Sequence, residues 1–194
     1  MLKILPLTSD RWDDFVQLFG KNGACAGYWC MWWRFPRANW IRNKGDGNKK
    51  AIQKLVKSGE VPGLLSYVEG EPVGWCAIAP RGDYPRLANS RILRPVDDQP
   101  VWSINCFFVA QPFRRRGVTV ELLKAAVGFV RKRGGKILEG YPVESRKQQA
   151  DAFVYTGLAS AFRKTGFKEV SRRSPTRPIM RKVITGSDRS SPPP

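Results

Sequence analysis

The stretch from Val101 to Tyr141 constrains the fold of this chain more than any other part of it. Val101 to Val109 is an apolar run of strand length, and a basic, glycine-bearing turn follows from Arg114 to Thr119. Val118, Leu122, Ala125, Ala126, Phe129 and Val130 then recur at the i, i+4, i+7, i+8 spacing of one buried helix face. Gly134 and Gly135 stop that helix, and a second apolar strand begins at Ile137. Strand, helix and strand in so short a span make a βαβ unit, whose crossover is right-handed. A helix N-terminus offers unpaired N–H groups and the positive end of the helix dipole. The turn Arg114, Arg115, Arg116, Gly117, Val118 and Thr119 therefore reads as a phosphate site.

Shorter elements surround this unit. Ser9 or Asp10 caps a first helix that carries Trp12, Phe15, Val16 and Phe19 on one face and ends at Gly20. A second helix covers Lys49 to Ser58. Leu64–Val68 and Val73–Ile78 read as a hairpin across Glu69-Gly70-Glu71-Pro72. Pro80 to Pro100 is a long connection, of the kind that carries function or an additional short strand. Tyr141-Pro142 ends the second βαβ strand, and a polar loop runs to Asp151. Thr156 caps a last helix with Leu158, Ala161, Phe162 and Thr165 on its buried face, closed by Gly166. Phe167–Arg172 and Pro178–Val183 form a final strand pair. This order predicts an α+β fold of mixed αβα layers, with a mostly antiparallel sheet around a central βαβ unit. A single domain is expected over residues 1–185, followed by a disordered Ser/Pro-rich tail at 186–194.

The chain has no histidine, which excludes Ser-His-Asp and Cys-His nucleophiles, imidazole bases and His-ligated zinc. Cys25, Cys30, Cys76 and Cys106 contain no Cys-x-x-Cys pair, so no metal is expected. No apolar run approaches the ~18 residues of a membrane span. Met1 to Asp10, with its lone lysine and Pro6, does not read as a secretory leader. The expected compartment is the cytoplasm, with four free thiols. The net charge of +18 admits three readings: nucleic-acid binding, attraction of an acidic partner, or a basic surface without a specific role. Charge thickens at Arg114–Arg116, at Arg131–Arg133 in the last turn of the predicted helix, and at Arg172–Arg181.

Arg114-Arg115-Arg116-Gly117-Val118-Thr119 resembles the Arg/Gln-x-x-Gly-x-Gly/Ala signature of the GNAT superfamily of acyl-CoA-dependent N-acetyltransferases, with Thr119 where that family usually has Gly or Ala. Phe107-Phe108-Val109 falls where the family has its hydrophobic cofactor strand. Tyr67 to Trp75 is similar to its early hairpin, and Ser160 to Val170, with Gly166-Phe167, to its late helix. The resemblance runs from about Leu64 to Val183 and implies a GNAT-like fold. It implies acetyl-CoA as co-substrate, with the pyrophosphate on Arg114–Thr119 and pantetheine in a gap where the Phe107–Val109 strand splays from the Ile137 strand. The backbone N–H groups of Phe108 and Val109 are the expected oxyanion donors.

The family often places a tyrosine four residues before the Gly of Gly-Phe, and here that position is Phe162. Tyr155 and Ser160 are then the candidates for protonating the departing thiolate. Glu139, on the second βαβ strand, is the candidate base, with Glu144 as second choice. Trp29, Trp32 and Trp33 follow i, i+3, i+4, so one helical turn sets them on a common face as an acceptor wall, against the alternative of core packing. The expected reaction is transfer of an acetyl group from acetyl-CoA to a primary amine of a small molecule or peptide. The alternative is a basic nucleic-acid-binding protein without catalysis, although Phe107 and Phe108 face opposite ways and make a poor stacking platform. A homodimer stays open beside the monomer.

Overall fold

A computed structural model describes residues 2–144 and 155–185. The strands are β1 (Leu2–Pro6), β2 (Gly63–Val68), β3 (Glu71–Pro80), β4 (Trp102–Val109), β5 (Ile137–Gly140), β6 (Lys168–Arg172) and β7 (Pro178–Val183). The helices are α1 (Trp12–Phe19), α2 (Arg37–Arg42), α3 (Asp46–Lys57), α4 (Pro85–Ala88), α5 (Val118–Lys132) and α6 (Ala159–Lys164). The seven strands form one sheet in the order β1-β2-β3-β4-β5-β7-β6. Only β4 and β5 run parallel, and every other neighbouring pair is antiparallel. This is the mixed sheet with a central βαβ unit that the sequence predicts.

Three expectations differ in detail. Leu2–Pro6, considered above only as a leader, adds to the sheet as an edge strand against β2. The connection from Pro80 to Pro100 holds a short helix and no strand, because Pro85 seeds a turn of helix at its first position. The last helix starts at Ala159 with Leu158 at its N-cap, so Thr156 lies two residues too early to cap it. The polar loop before Asp151 falls mostly outside the described residues, and the 186–194 tail does so entirely.

Hydrophobic layers cover both sheet faces. On one, α5 and α6 bury Leu122, Leu123, Ala126, Val130, Ala159 and Phe162 against Ile78, Ile104 and Leu138. The start of α5 is seated by Gly74 of β3: a side chain there would meet the Val118 Cγ1 at 2.9 Å. On the other face, α1, α3 and the segment around Trp29 cover Leu65, Trp75 and Ala77. Phe15 meets the edge of fully buried Trp75 at 4.8 Å between ring centres. Edge-to-face aromatic pairs of this kind add about 0.5–1.5 kcal/mol beyond their buried area.

The expectation of four free thiols is corrected. Cys30 and Cys106 lie 76 residues apart in sequence, yet the fold brings their Cα atoms to 6.3 Å and joins their sulfurs in a disulfide. Cys25 is an exposed thiol and Cys76 a buried one. The bridge ties the tryptophan-rich segment to the middle of β4.

Candidate active site

The turn from Arg114 to Thr119, expected to hold a phosphate, leads into the N-terminus of α5. Gly117 takes φ +83° as the N-cap of α5, a conformation that favours glycine, and the space a Cβ would occupy there is open to at least 4 Å. Gly117 supplies no side-chain cap, and the N-terminal turn is rimmed by Arg115, Arg116 and Gly117, all exposed. Arg114 points back instead: its Nε donates to the Val109 carbonyl at 2.9 Å and locks the turn to the end of β4. Val118 is buried under the helix and Thr119 half-buried beside it. An open glycine at a dipole's positive end, flanked by guanidinium groups, is a cradle that fits a pyrophosphate.

β4 and β5 separate as expected. Their pairing covers only Trp102↔Leu138, Ser103↔Glu139 and Ile104↔Gly140. Beyond Ile104, the Phe107 N–H donates at 2.6 Å to the carbonyl of Tyr155 rather than to β5. The Phe107 ring is buried against Phe162, while Phe108 reaches Phe19 on the opposite face. Alternate residues of a strand turn their N–H groups to opposite edges. Val109 therefore shares the open edge with Phe107, and Phe108 turns its N–H towards Trp75 of β3, its partner in the ladder. The oxyanion expectation thus moves from the pair Phe108 and Val109 to Val109 alone.

A bulge interrupts β4 at the mouth of this gap. Ala77 pairs with Cys106 and Ile78 with Ile104, which leaves Asn105 as the extra residue. Asn105 is fully buried, and both its Oδ1 and its Nδ2 lack a hydrogen-bond partner among the described residues. Its carbonyl accepts the Trp33 indole N–H at 3.2 Å.

The predicted base is differently employed. Glu139 is fully buried, and both its oxygens are taken: Oε1 by Arg81 and the Tyr141 hydroxyl, Oε2 by Arg181 Nε at 2.6 Å. Arg181 also clamps Asp97, whose carboxyl it holds below the usual range, and Tyr141 touches Ser103 at 2.8 Å. A fully buried carboxylate between two guanidinium groups is an internal strut of the sheet, out of reach of an amine arriving from solvent. Glu144 is no substitute, because Arg172 first and Arg163 second hold its carboxyl below the ordinary value. The anchoring arginines lie far along the chain, and nothing in the local sequence marks them.

Phe162 is fully buried on Gly140 and Phe167, as a core residue. Ser160 is exposed on α6. Tyr155 stands at the open β4 edge, with its ring between the two aromatic clusters on that sheet face. Burial raises its phenol above the ordinary value, the positive charges of Arg177 and Arg86 opposing that shift in part.

The three tryptophans do not share a helical face. Trp29 and Cys30 have φ of +45° and +54°, which breaks any helix there. Trp29 is driven into the core, its ring stacked on Phe19 at 5.6 Å. Trp33 is buried near Tyr84 and Tyr141. Trp32 alone stays half-exposed, packed on Trp40 and carrying the Arg86 guanidinium 3.7 Å above its ring. Sequence reading singled out neither Arg86 nor Asn105, whose unpartnered polar atoms only the fold reveals. The second had a visible signal, the lone amide of a mostly apolar strand.

The model of the acetyltransferase (GNAT) family matches residues 29–154, and the chain belongs to that family. An uncharacterized N-acetyltransferase of Methanocaldococcus jannaschii is 26% identical over 164 residues, covering 84% of this chain and 59% of that protein. The chain thus spans under two thirds of this relative's length. Among solved structures, the PaiA N-acetyltransferase of Thermoplasma acidophilum in complex with coenzyme A superposes with a TM-score of 0.54 at 12% identity, covering 94% of this chain and 99% of that one. A putative arylalkylamine N-acetyltransferase of Aedes aegypti does so at 0.57 and 15%, covering 95% and 88%. At such identities the likeness is one of fold. No helix among the described residues is long and apolar enough to cross a membrane.

Proposed function

We propose that the protein is an acetyl-CoA-dependent N-acetyltransferase acting on a primary amine of a small molecule. The observation that carries this reading is the open Gly117 cradle at the head of α5, set beside a β4 edge that β5 has left. Arg115, Arg116 and the first-turn N–H groups would hold the pyrophosphate, and the Val109 edge of β4 the pantetheine. Acetyl-CoA supplies an already activated thioester: the amine nitrogen takes the acetyl group and loses a proton, the C–S bond breaks, and sulfur takes a proton. The chain's own part is alignment and exclusion of water. Tyr155 is the best-placed proton donor, because its backbone is bonded to the gap and its phenol keeps its proton through neutral pH.

Much of the third basic cluster is spent inside the fold, Arg172 on Glu144 and Glu169, and Arg181 on Glu139 and Asp97. That leaves less charge for a phosphate backbone and favours the enzyme over the nucleic-acid reading. Half-exposed Trp32 and Tyr28 favour an acceptor with an apolar or aromatic body. The test is thermal. Acetyl-CoA at ~100 times its Kd stabilises a fold by about 2.7 kcal/mol, a rise of roughly 5–10 °C for a chain this size. Gly117→Glu is expected to abolish the rise. An unmoved melting curve with acetyl-CoA, CoA and longer acyl-CoAs, alongside a shift with an RNA or DNA oligomer, refutes the assignment.

A further inference from the structure

We propose that the acceptor is a free amino acid, its carboxylate held by Arg86 on the aromatic side of the β4 gap. This rests on the acetyltransferase reading and deepens it. The arginines around the gap make the contrast. Arg34 pairs with Asp83, Arg81 with Glu139, and Arg181 with both Glu139 and Asp97. Arg86 has no carboxylate partner among the described residues. Its Nε donates to the Phe35 carbonyl at 2.7 Å, its guanidinium lies on Trp32, and its Nη2 is buried without a hydrogen-bond partner. Burial first and the positive charge of Arg37 second work against that charge, and Tyr155 and Tyr28 offset them only in part. A buried guanidinium nitrogen with nothing to donate to is costly, and an incoming carboxylate removes that cost.

Arg86 is also tied by position to the reacting edge. Its backbone N–H meets the Trp33 carbonyl at 3.4 Å, and the indole N–H of the same Trp33 meets the carbonyl of Asn105. One tryptophan therefore sets the spacing between the guanidinium and the unpartnered Asn105 amide at the mouth of the gap. The Cys30–Cys106 bridge fixes the same segment to the residue after Asn105. An acceptor whose carboxylate engages Arg86 Nη2 can present its amino group to Asn105 Oδ1, next to the Phe107–Val109 edge. Its side chain then lies along Trp32, Tyr28 and Tyr155. That places amine and carboxylate a few bonds apart on a body with apolar or aromatic character. A peptide N-terminus, whose carboxylate is remote, does not satisfy both groups.

The experiment compares three matched probes: L-tryptophan, its carboxamide, and tryptamine, with the phenylalanine series in parallel. Acetyl transfer is followed by CoA release, and binding of each probe alone by the melting curve. The free acids are expected to exceed the carboxamides and the decarboxylated amines at least tenfold in kcat/KM. Arg86→Gln and Arg86→Lys, checked for folding by circular dichroism, are each read for that acid-to-amide ratio. Arg86→Gln should bring it to within about twofold of unity. A simple folding defect lowers all three probes together and leaves the ratio alone, which counts against the proposal. Equal or better turnover of the amines than of the acids overturns it. If acetyl-CoA leaves the melting curve unmoved, the enzyme reading itself has failed. The acids' own stabilising effect, and its loss in Arg86→Gln, still decides the Arg86 site.

Discussion

Glu139→Gln separates a buried strut from a catalytic base. Glu139 is wholly inaccessible, and its partners Arg181 and Arg81 have only 9% and 13% of their side chains exposed. This is not a surface pair worth up to about 1 kcal/mol. Removing one member of a buried ion pair costs about 3–5 kcal/mol, because the other charge stays behind uncompensated. Glutamine keeps one acceptor oxygen for Arg81 or Arg181 but turns an NH2 donor towards the other. Arg181 retains Asp97, and Arg81 retains the Leu93 carbonyl. Those remaining partners put the expected loss near the low end, about 3 kcal/mol. For a chain of this size that lowers the melting temperature by roughly 6–12 °C. The assay is a thermal melt by circular dichroism, with acetyl transfer measured well below both transitions. Turnover there should stay within a few-fold of the parent. An unchanged melting temperature with a thousandfold loss of turnover refutes the reasoning and returns Glu139 to the role of base.

Thiol titration in denaturant should find two reactive cysteines before reduction, Cys25 and Cys76, and four after it; four from the start refutes the bridge. Opening a loop of 76 residues should cost about 4.5 kcal/mol on the chain-entropy account, measurable by denaturant melts of Cys30→Ser. Phe162→Tyr should destabilise the fold by about 1–3 kcal/mol without raising turnover, since its hydroxyl would be buried without a partner; a faster enzyme of unchanged stability contradicts this. Arg172 depresses the carboxyls of Glu144 and Glu169, and Arg181 that of Asp97. Their folded pKa values lie below the unfolded ones. Their stabilisation is therefore complete above the unfolded range near pH 4 and is lost as pH falls through the folded values. Melting temperatures taken from pH 6 down to pH 2.5 should drop, and Arg172→Ala should flatten that slope; an unaltered slope removes the argument.

The sequence by itself determined whatever depends on neighbours along the chain. The apolar period of Val118 to Val130 gave α5, and Gly117 with Gly134 marked its ends. The strand runs on either side gave the βαβ unit, and with it the phosphate turn. Local physics sufficed because a helix start, its dipole and a left-handed glycine are properties of consecutive residues. Trp29, Trp32 and Trp33 show where that reasoning stops. Their spacing is helical, but Gly23 admits the Trp29 ring into close contact and a positive φ at Trp29 and Cys30 turns the chain, so packing overrode periodicity. Only the tertiary structure decided what Glu139 does, because Arg81 and Arg181 reach it from 58 and 42 residues away. The same holds for the Cys30–Cys106 bridge and for Arg86, whose lack of a carboxylate partner among the described residues is visible only in the folded chain. Charge pairing and burial depend on distance in space, and sequence separation does not encode that distance.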